Sequence, residues 1–113
     1  MKILRLVVIL LLHFGLIACA EDEDLGAGTV DVKNMSVFTS ISSVYLKPSS
    51  STEWGSNRLA SGYLGTTDTV TFTGLLPCNT HWDFRAYFSD STVKQTSKFY
   101  LFCGGVVSFN VYY

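Results

Sequence analysis

His81-Trp82-Asp83-Phe84-Arg85-Ala86-Tyr87-Phe88 alternates without a break. Trp82, Phe84, Ala86 and Phe88 fall on one side, while His81, Asp83, Arg85 and Tyr87 fall on the other. A period of two is the geometry of a β-strand, whose successive side chains point to opposite faces. One bulky apolar face and one polar face describe a strand that is covered on one side only, so this segment is expected at the centre of an antiparallel sheet packed on a second layer. Asp83 and Arg85 stand two apart on the polar face, where a cross-strand ion pair is the ordinary arrangement. His81 has no second histidine in the domain to share a metal and is expected as a polar surface residue.

Downstream, Ser89-Asp90-Ser91-Thr92 is a turn into a long strand from Val93 to Phe102. A Cys103-Gly104-Gly105 loop then predicts a hairpin with Leu101 opposite Val107 and Phe99 opposite Phe109, the register that keeps apolar residues together. The last strand runs to Tyr113. Upstream, Thr29 to Lys33 alternate around Val30 and Val32 as a first strand. Ile41 to Lys47 form a second that stops at Pro48, and their uneven apolar spacing predicts a bulge. Ser49 to Thr52 are a polar loop. Asp68 to Thr73 alternate again around Val70 and Phe72, and Gly74-Leu75-Leu76-Pro77 turns the chain toward Cys78. Between these strands, Trp54-Gly55-Ser56-Asn57-Arg58-Leu59 predicts a loop folded back so that Trp54 and Leu59 plug one end of the core. No window of helical period carries caps at both ends. The expected fold is therefore all-β, a single small antiparallel β-sandwich of about six to eight strands over residues 28–113.

The first residues belong to a different object. Lys2 and Arg5 precede an apolar run from Leu6 to Ile17, interrupted only by His13 and closed by Ala18, Cys19 and Ala20, which is the layout of a signal peptide over residues 1–18. The acidic run Glu21 to Asp24 ends the segment short of the roughly 20 apolar residues that a membrane-crossing helix needs. Residues 19–27 then form an acidic tether. Ala18-Cys19-Ala20 also fits the small-x-small pattern of ordinary signal cleavage, which would release a soluble secreted chain.

Whichever way the signal is cut, Cys78 and Cys103 are the two cysteines of the domain. Two cysteines in an exported chain predict one disulfide, with a single possible connectivity. The domain itself is nearly neutral, with five acids (Asp31, Glu53, Asp68, Asp83, Asp90) against six scattered bases (Lys33, Lys47, Arg58, Arg85, Lys94, Lys98). No electropositive stripe for nucleic acid results.

Leu16-Ile17-Ala18-Cys19 resembles the lipobox of bacterial lipoproteins. That likeness implies a diacylglyceryl group on Cys19, with palmitate-like acyl chains holding the protein to a cell or outer membrane and the domain facing periplasm or exterior. The acids just after the cysteine resemble the surface-export signal of some Bacteroidota lipoproteins. Trp54-Gly55-x-Asn57-x-Leu59, with the Trp82-Asp83-Phe84-Arg85 strand and its following Ser-Asp turn, is similar to small bacterial lipoprotein domains of immunoglobulin- or fibronectin-like β-sandwich type. Asp90-Ser91 stands where those have Asp-Gly, and the two domain cysteines are outside that pattern. The likeness implies fold and placement but no activity.

No nucleophile elbow, zinc-protease helix or phosphate-binding glycine loop occurs, so an enzyme and a cofactor are not expected. An envelope interaction module with a protein partner is the expected function. The alternative is a glycan-binding module, for which Trp54, Tyr63, Tyr112 and Tyr113 are the candidate ligand-facing rings.

Overall fold

The computed structural model describes residues 26–60 and 62–113. The signal segment 1–18, Cys19 and the acidic run 21–24 lie outside them. Six strands follow one another: β1 (Gly28–Asn34), β2 (Ile41–Pro48), β3 (Thr69–Leu75), β4 (Thr80–Phe88), β5 (Val93–Leu101) and β6 (Val106–Val111). They form two three-stranded sheets, ordered β3-β1-β6 and β2-β4-β5, and no helix occurs among the described residues.

The alternation in β4 does what its pattern requires. Trp82, Phe84, Ala86 and Phe88 are buried, their polar neighbours are not, and β4 is the middle strand of its sheet. Val30 and Val32 of β1, Ile41, Val44 and Leu46 of β2, Leu75, Leu101 and Val111 join them in one hydrophobic cluster. The two sheets meet where Phe84 of β4 stacks on Phe109 of β6 at 4.5 Å between ring centres. The Trp82 indole N–H, which would be costly to bury alone, donates to the Pro77 carbonyl at 2.8 Å.

Two bulges shape the β2-β4-β5 sheet. The expected one falls at Ser42, between the pairs Ile41–Phe88 and Ser43–Tyr87. The second sets Ser97 and Lys98 of β5 against the single residue Asp83 of β4. Lys98 there has φ of 60°, a left-handed conformation uncommon for a side chain of its kind. Its freed amide donates to Asp83 Oδ1 at 2.9 Å, which compensates the interrupted ladder.

The β5–β6 hairpin is not formed, and the predicted pairs Leu101–Val107 and Phe99–Phe109 are corrected. After Leu101 the chain crosses to the other sheet, where β6 pairs parallel with β1, Val30 beside Val107 and Val32 beside Phe109. One strand pair of the fold is thus parallel rather than antiparallel. The crossing starts at the glycines, where Gly104 N–H donates to Ala27 O and Thr29 N–H to Gly105 O. Val107, Phe109 and Val111 turn inward in either arrangement, so their alternation never distinguished the partners. Phe99 and Phe109 still touch edge to face at 5.0 Å, but between sheets rather than along a ladder.

Cys78 and Cys103 are joined, their Cα atoms 4.9 Å apart. The bond ties the segment entering β4 to the one leaving β5, and the Gly26 carbonyl lies against Cys78 Sγ. Gly28 sits against Leu101, where a Cβ would approach Cγ to 2.4 Å, so only glycine lets β1 start at this point. The chain therefore enters the domain at its disulfide end.

Candidate functional site

The 54–59 loop is built from the edge of β2. Asn57 Oδ1 accepts from the Val44 amide at 2.9 Å, Asn57 Nδ2 donates to Ser42 O at 3.3 Å, and Arg58 adds its own amide to Val44 O and its guanidinium to Leu46 O. One side chain and one short backbone stretch thus stand in for a missing strand and close an edge that would otherwise be open. Leu59 reaches the core cluster as expected. Trp54 does not, and its predicted role as a plug is corrected: the ring is half-buried on the outer, polar face of the sheet.

On that face the Arg85 guanidinium lies 4.3 Å from the Trp54 ring centre and Lys47 Nζ lies 5.0 Å from it. Tyr45 stands opposite Arg85 in the ladder and meets Tyr87 edge to face at 6.1 Å. Arg85 Nε donates to Gln95 Oε1 at 3.0 Å, which fixes the guanidinium beneath the indole. These groups border an open concavity of about 460 Å³ lined by Ser42, Ser43, Tyr45, Trp54, Arg85, Tyr87, Phe88, Ser89 and Ser91. Its lining carries ring faces, hydroxyls and one guanidinium, but no carboxylate, imidazole or thiol. Such a surface can stack on and hydrogen-bond a polar ligand; it has no pair of groups that trade a proton.

Asp83 holds Lys47, whose Nζ lies near the Trp54 ring. The expected cross-strand ion pair is present, with Lys47 as the partner directly across the ladder, at 3.0 Å and with side chains only 11% and 14% exposed. Partial burial pushes the Asp83 carboxyl up, but hydrogen bonds from Ser49, the Lys98 amide and Lys47 outweigh it and hold the group at about 2. Lys47 also donates to Ser51 O at 2.8 Å.

The candidate rings are not brought together. Tyr63 is exposed beside Leu64, at the end of the domain opposite the disulfide. Tyr112 borders a second, smaller concavity of about 290 Å³ with Phe84 and Phe109. Tyr113 packs on Phe88 and directs its hydroxyl to Asp90. Of the four, Trp54 alone lines the outer-face site. Arg85 and Tyr87 were visible as one face of the β4 alternation; Tyr45 was not, because nothing in the sequence says which strand pairs with β4. Among the described residues no three His, Cys, Asp or Glu side chains gather as a metal site. No protein-family model, curated protein or solved structure matches this chain.

Proposed function

We propose that this chain is a lipid-anchored, non-catalytic recognition module of the bacterial cell envelope, its two sheets acting as the layers of an immunoglobulin-like β-sandwich. In this reading Cys19 carries the lipid, residues 20–27 are the tether, and the outer face of β2-β4-β5 takes a glycan. The observation that supports the ligand is Trp54: a large ring kept out of the core, set over Arg85 and beside two tyrosines and four serine hydroxyls. A sugar offers an apolar ring face for the indole and hydroxyls for the rim, and such a site is concave, aromatic and polar at few points.

Trp82 is 2% exposed, so ligand-dependent changes in tryptophan emission report Trp54. Titration of the full mature protein with oligosaccharides from the envelope is expected to change that emission saturably, with affinity at least about tenfold weaker in Arg85→Ala, a loss of roughly 1.4 kcal/mol. No change across such a panel counts against the glycan. Intact mass of the protein taken from its membrane tests the anchor: acyl mass on a chain starting at Cys19 supports it, and a chain starting at Glu21 sinks it.

A protein partner is the second reading, and Phe38 favours it. This side chain is 87% exposed on the 35–40 loop, beside Val37 at 67%. Phe38→Ser weakens capture of such a partner and leaves the Trp54 titration untouched.

A further inference from the structure

The end at which the chain enters the domain is apolar and almost free of charge. Strand register places the start of β1, the end of β3, the start of β4, the end of β5 and the start of β6 together there, through the pairs Gly28–Leu75, Thr29–Val106 and Thr80–Leu101. Leu76 is 64% exposed at this end, Phe102 60% and Val106 61%. Tyr100 stands beside them, its ring edge to face with both Phe102 and His81. Residues 74–82 and 99–107 contain no Asp, Glu, Lys or Arg. The adjoining 49–53 turn contributes one acid, Glu53, and the exposed Lys98 directly precedes residue 99.

We propose that this disulfide end is a seat for the surface of a zwitterionic bilayer, so that the domain stands on the membrane with the Trp54 face along its side and the 35–40 loop turned away from it. The proposal rests on the lipid-anchor reading. Seven peptide steps separate Cys19 from Gly26, a reach of at most roughly 25 Å. Anchoring at Cys19 therefore confines this end near the lipid at an effective concentration that populates contacts too weak to form in solution. The side chains suit that boundary: Leu76, Phe102 and Val106 enter the acyl margin, while Tyr100 and His81 have one apolar and one wet side. Neutral head groups are the matching surface, because Glu53 and the run Glu21 to Asp24 are repelled by anionic ones. The opposite end lies farther from the anchor by the length of β4, nine residues at about 3.3 Å each, so the tether favours the disulfide end over it.

The full chain, purified with its acyl groups and reconstituted in phosphatidylcholine vesicles, tests this directly. A Phe102→Trp variant reports depth against lipid brominated near the head of the acyl chain. The expected result is flotation with the vesicles and emission from position 102 quenched at least threefold more than the parent's two native indoles. Flotation without that extra quenching overturns the seat and leaves the anchor standing; failure to float overturns both. A second readout needs no reporter. A glutamate-specific protease cuts the tether of vesicle-bound protein, and a Leu76→Ser/Phe102→Ser variant is expected to be cut at least fivefold faster than the parent, because its end no longer shields Glu21 and Glu23. Equal rates in floating samples count against the seat.

Discussion

The two ends of this domain are closed by different chemistry. At the end where the chain enters, the Cys78–Cys103 bond joins two connections, and Gly28, packed on Leu101, fits beside it. At the opposite end one amide does the work. Asn34 is fully buried; its Nδ2 donates to Thr39 O at 3.0 Å and to Leu64 O and Gly65 O at 3.2 Å, and its Oδ1 accepts from the Ser36 amide at 2.9 Å. Its backbone also bonds Asp68 O and Thr67 N–H, so a single residue gathers the 35–40 and 64–68 loops. A covalent link acts mainly on the unfolded chain, by removing conformations it would otherwise visit. A hydrogen-bonded amide acts on the folded one, because its partners are buried and have no water to turn to. The same small domain thus has one end whose stability depends on redox state and one whose stability does not.

The largest effect is expected at the covalent end. Residues 78 to 103 enclose 26 positions, and closing such a loop is worth roughly 3.5 kcal/mol in the chain-entropy model. Cys78→Ser/Cys103→Ser is predicted to lose about that much in urea unfolding, and adding reductant to the native protein is predicted to reproduce it. Identical melts with and without reductant would remove the covalent half of the contrast.

Asn34→Ala comes next, at about 2 to 3 kcal/mol, since it strands several buried polar groups at once. The loss should be the same in reducing and oxidising buffer. Amide exchange should locate it: the Ser36, Phe38 and Thr39 amides, which now bond Asn34 or Ser36 side chains, speed up while those around Cys103 do not. Uniform acceleration across the domain would show that the ends are one cooperative unit.

How far these ends were legible in the sequence differs for the same physical reason. The disulfide needed only two cysteines and the expectation of export. Asn34 was overlooked, although β1 carried a clue: it follows Val30 and Val32 on the inward side of the alternation, where a polar residue must find partners. Those partners are carbonyls up to 31 residues away, which no local pattern contains. In the β2-β4-β5 sheet, β4 was readable from its own periodicity, and β2 and β5 from the turn residues that bound them. The pairing of β6 with β1 was not, since an inward-facing Val-x-Phe-x-Val fits any neighbour that offers a free edge. At the candidate site, alternation exposed Arg85 and Tyr87, whereas the placement of Trp54 over them depended on Asn57 closing the β2 edge.

Between the two ends lies Asp83, an ionic tie whose strength depends on pH rather than on redox state. Its carboxyl is held at about 2 when folded, below the ordinary 3.8. A depressed pKa means that the stabilisation is complete above the unfolded value and is lost as pH falls through about 2. The native protein is therefore predicted to lose about 1 kcal/mol between pH 5 and pH 2 relative to Asp83→Asn, a figure discounted for the solvent that reaches the pair. Parallel acid-unfolding curves for the two proteins would assign the tie no role.

The smallest stability effect is expected from the most conspicuous side chain. Trp54 lies outside the hydrophobic cluster, and removing it forfeits only cation–π contact with Arg85 and Lys47 and some covered area, so Trp54→Ala is predicted to cost less than about 1 kcal/mol. Leu59, five residues later and inside the cluster, is expected to cost about 2 kcal/mol or more when cut to alanine. If the two substitutions destabilise equally, the ring is a structural part of the loop and the outer face loses its claim as a recognition surface. If Trp54→Ala leaves the melt in place and abolishes the glycan titration, then the loop uses Asn57 and Leu59 to fold and keeps its indole for a ligand.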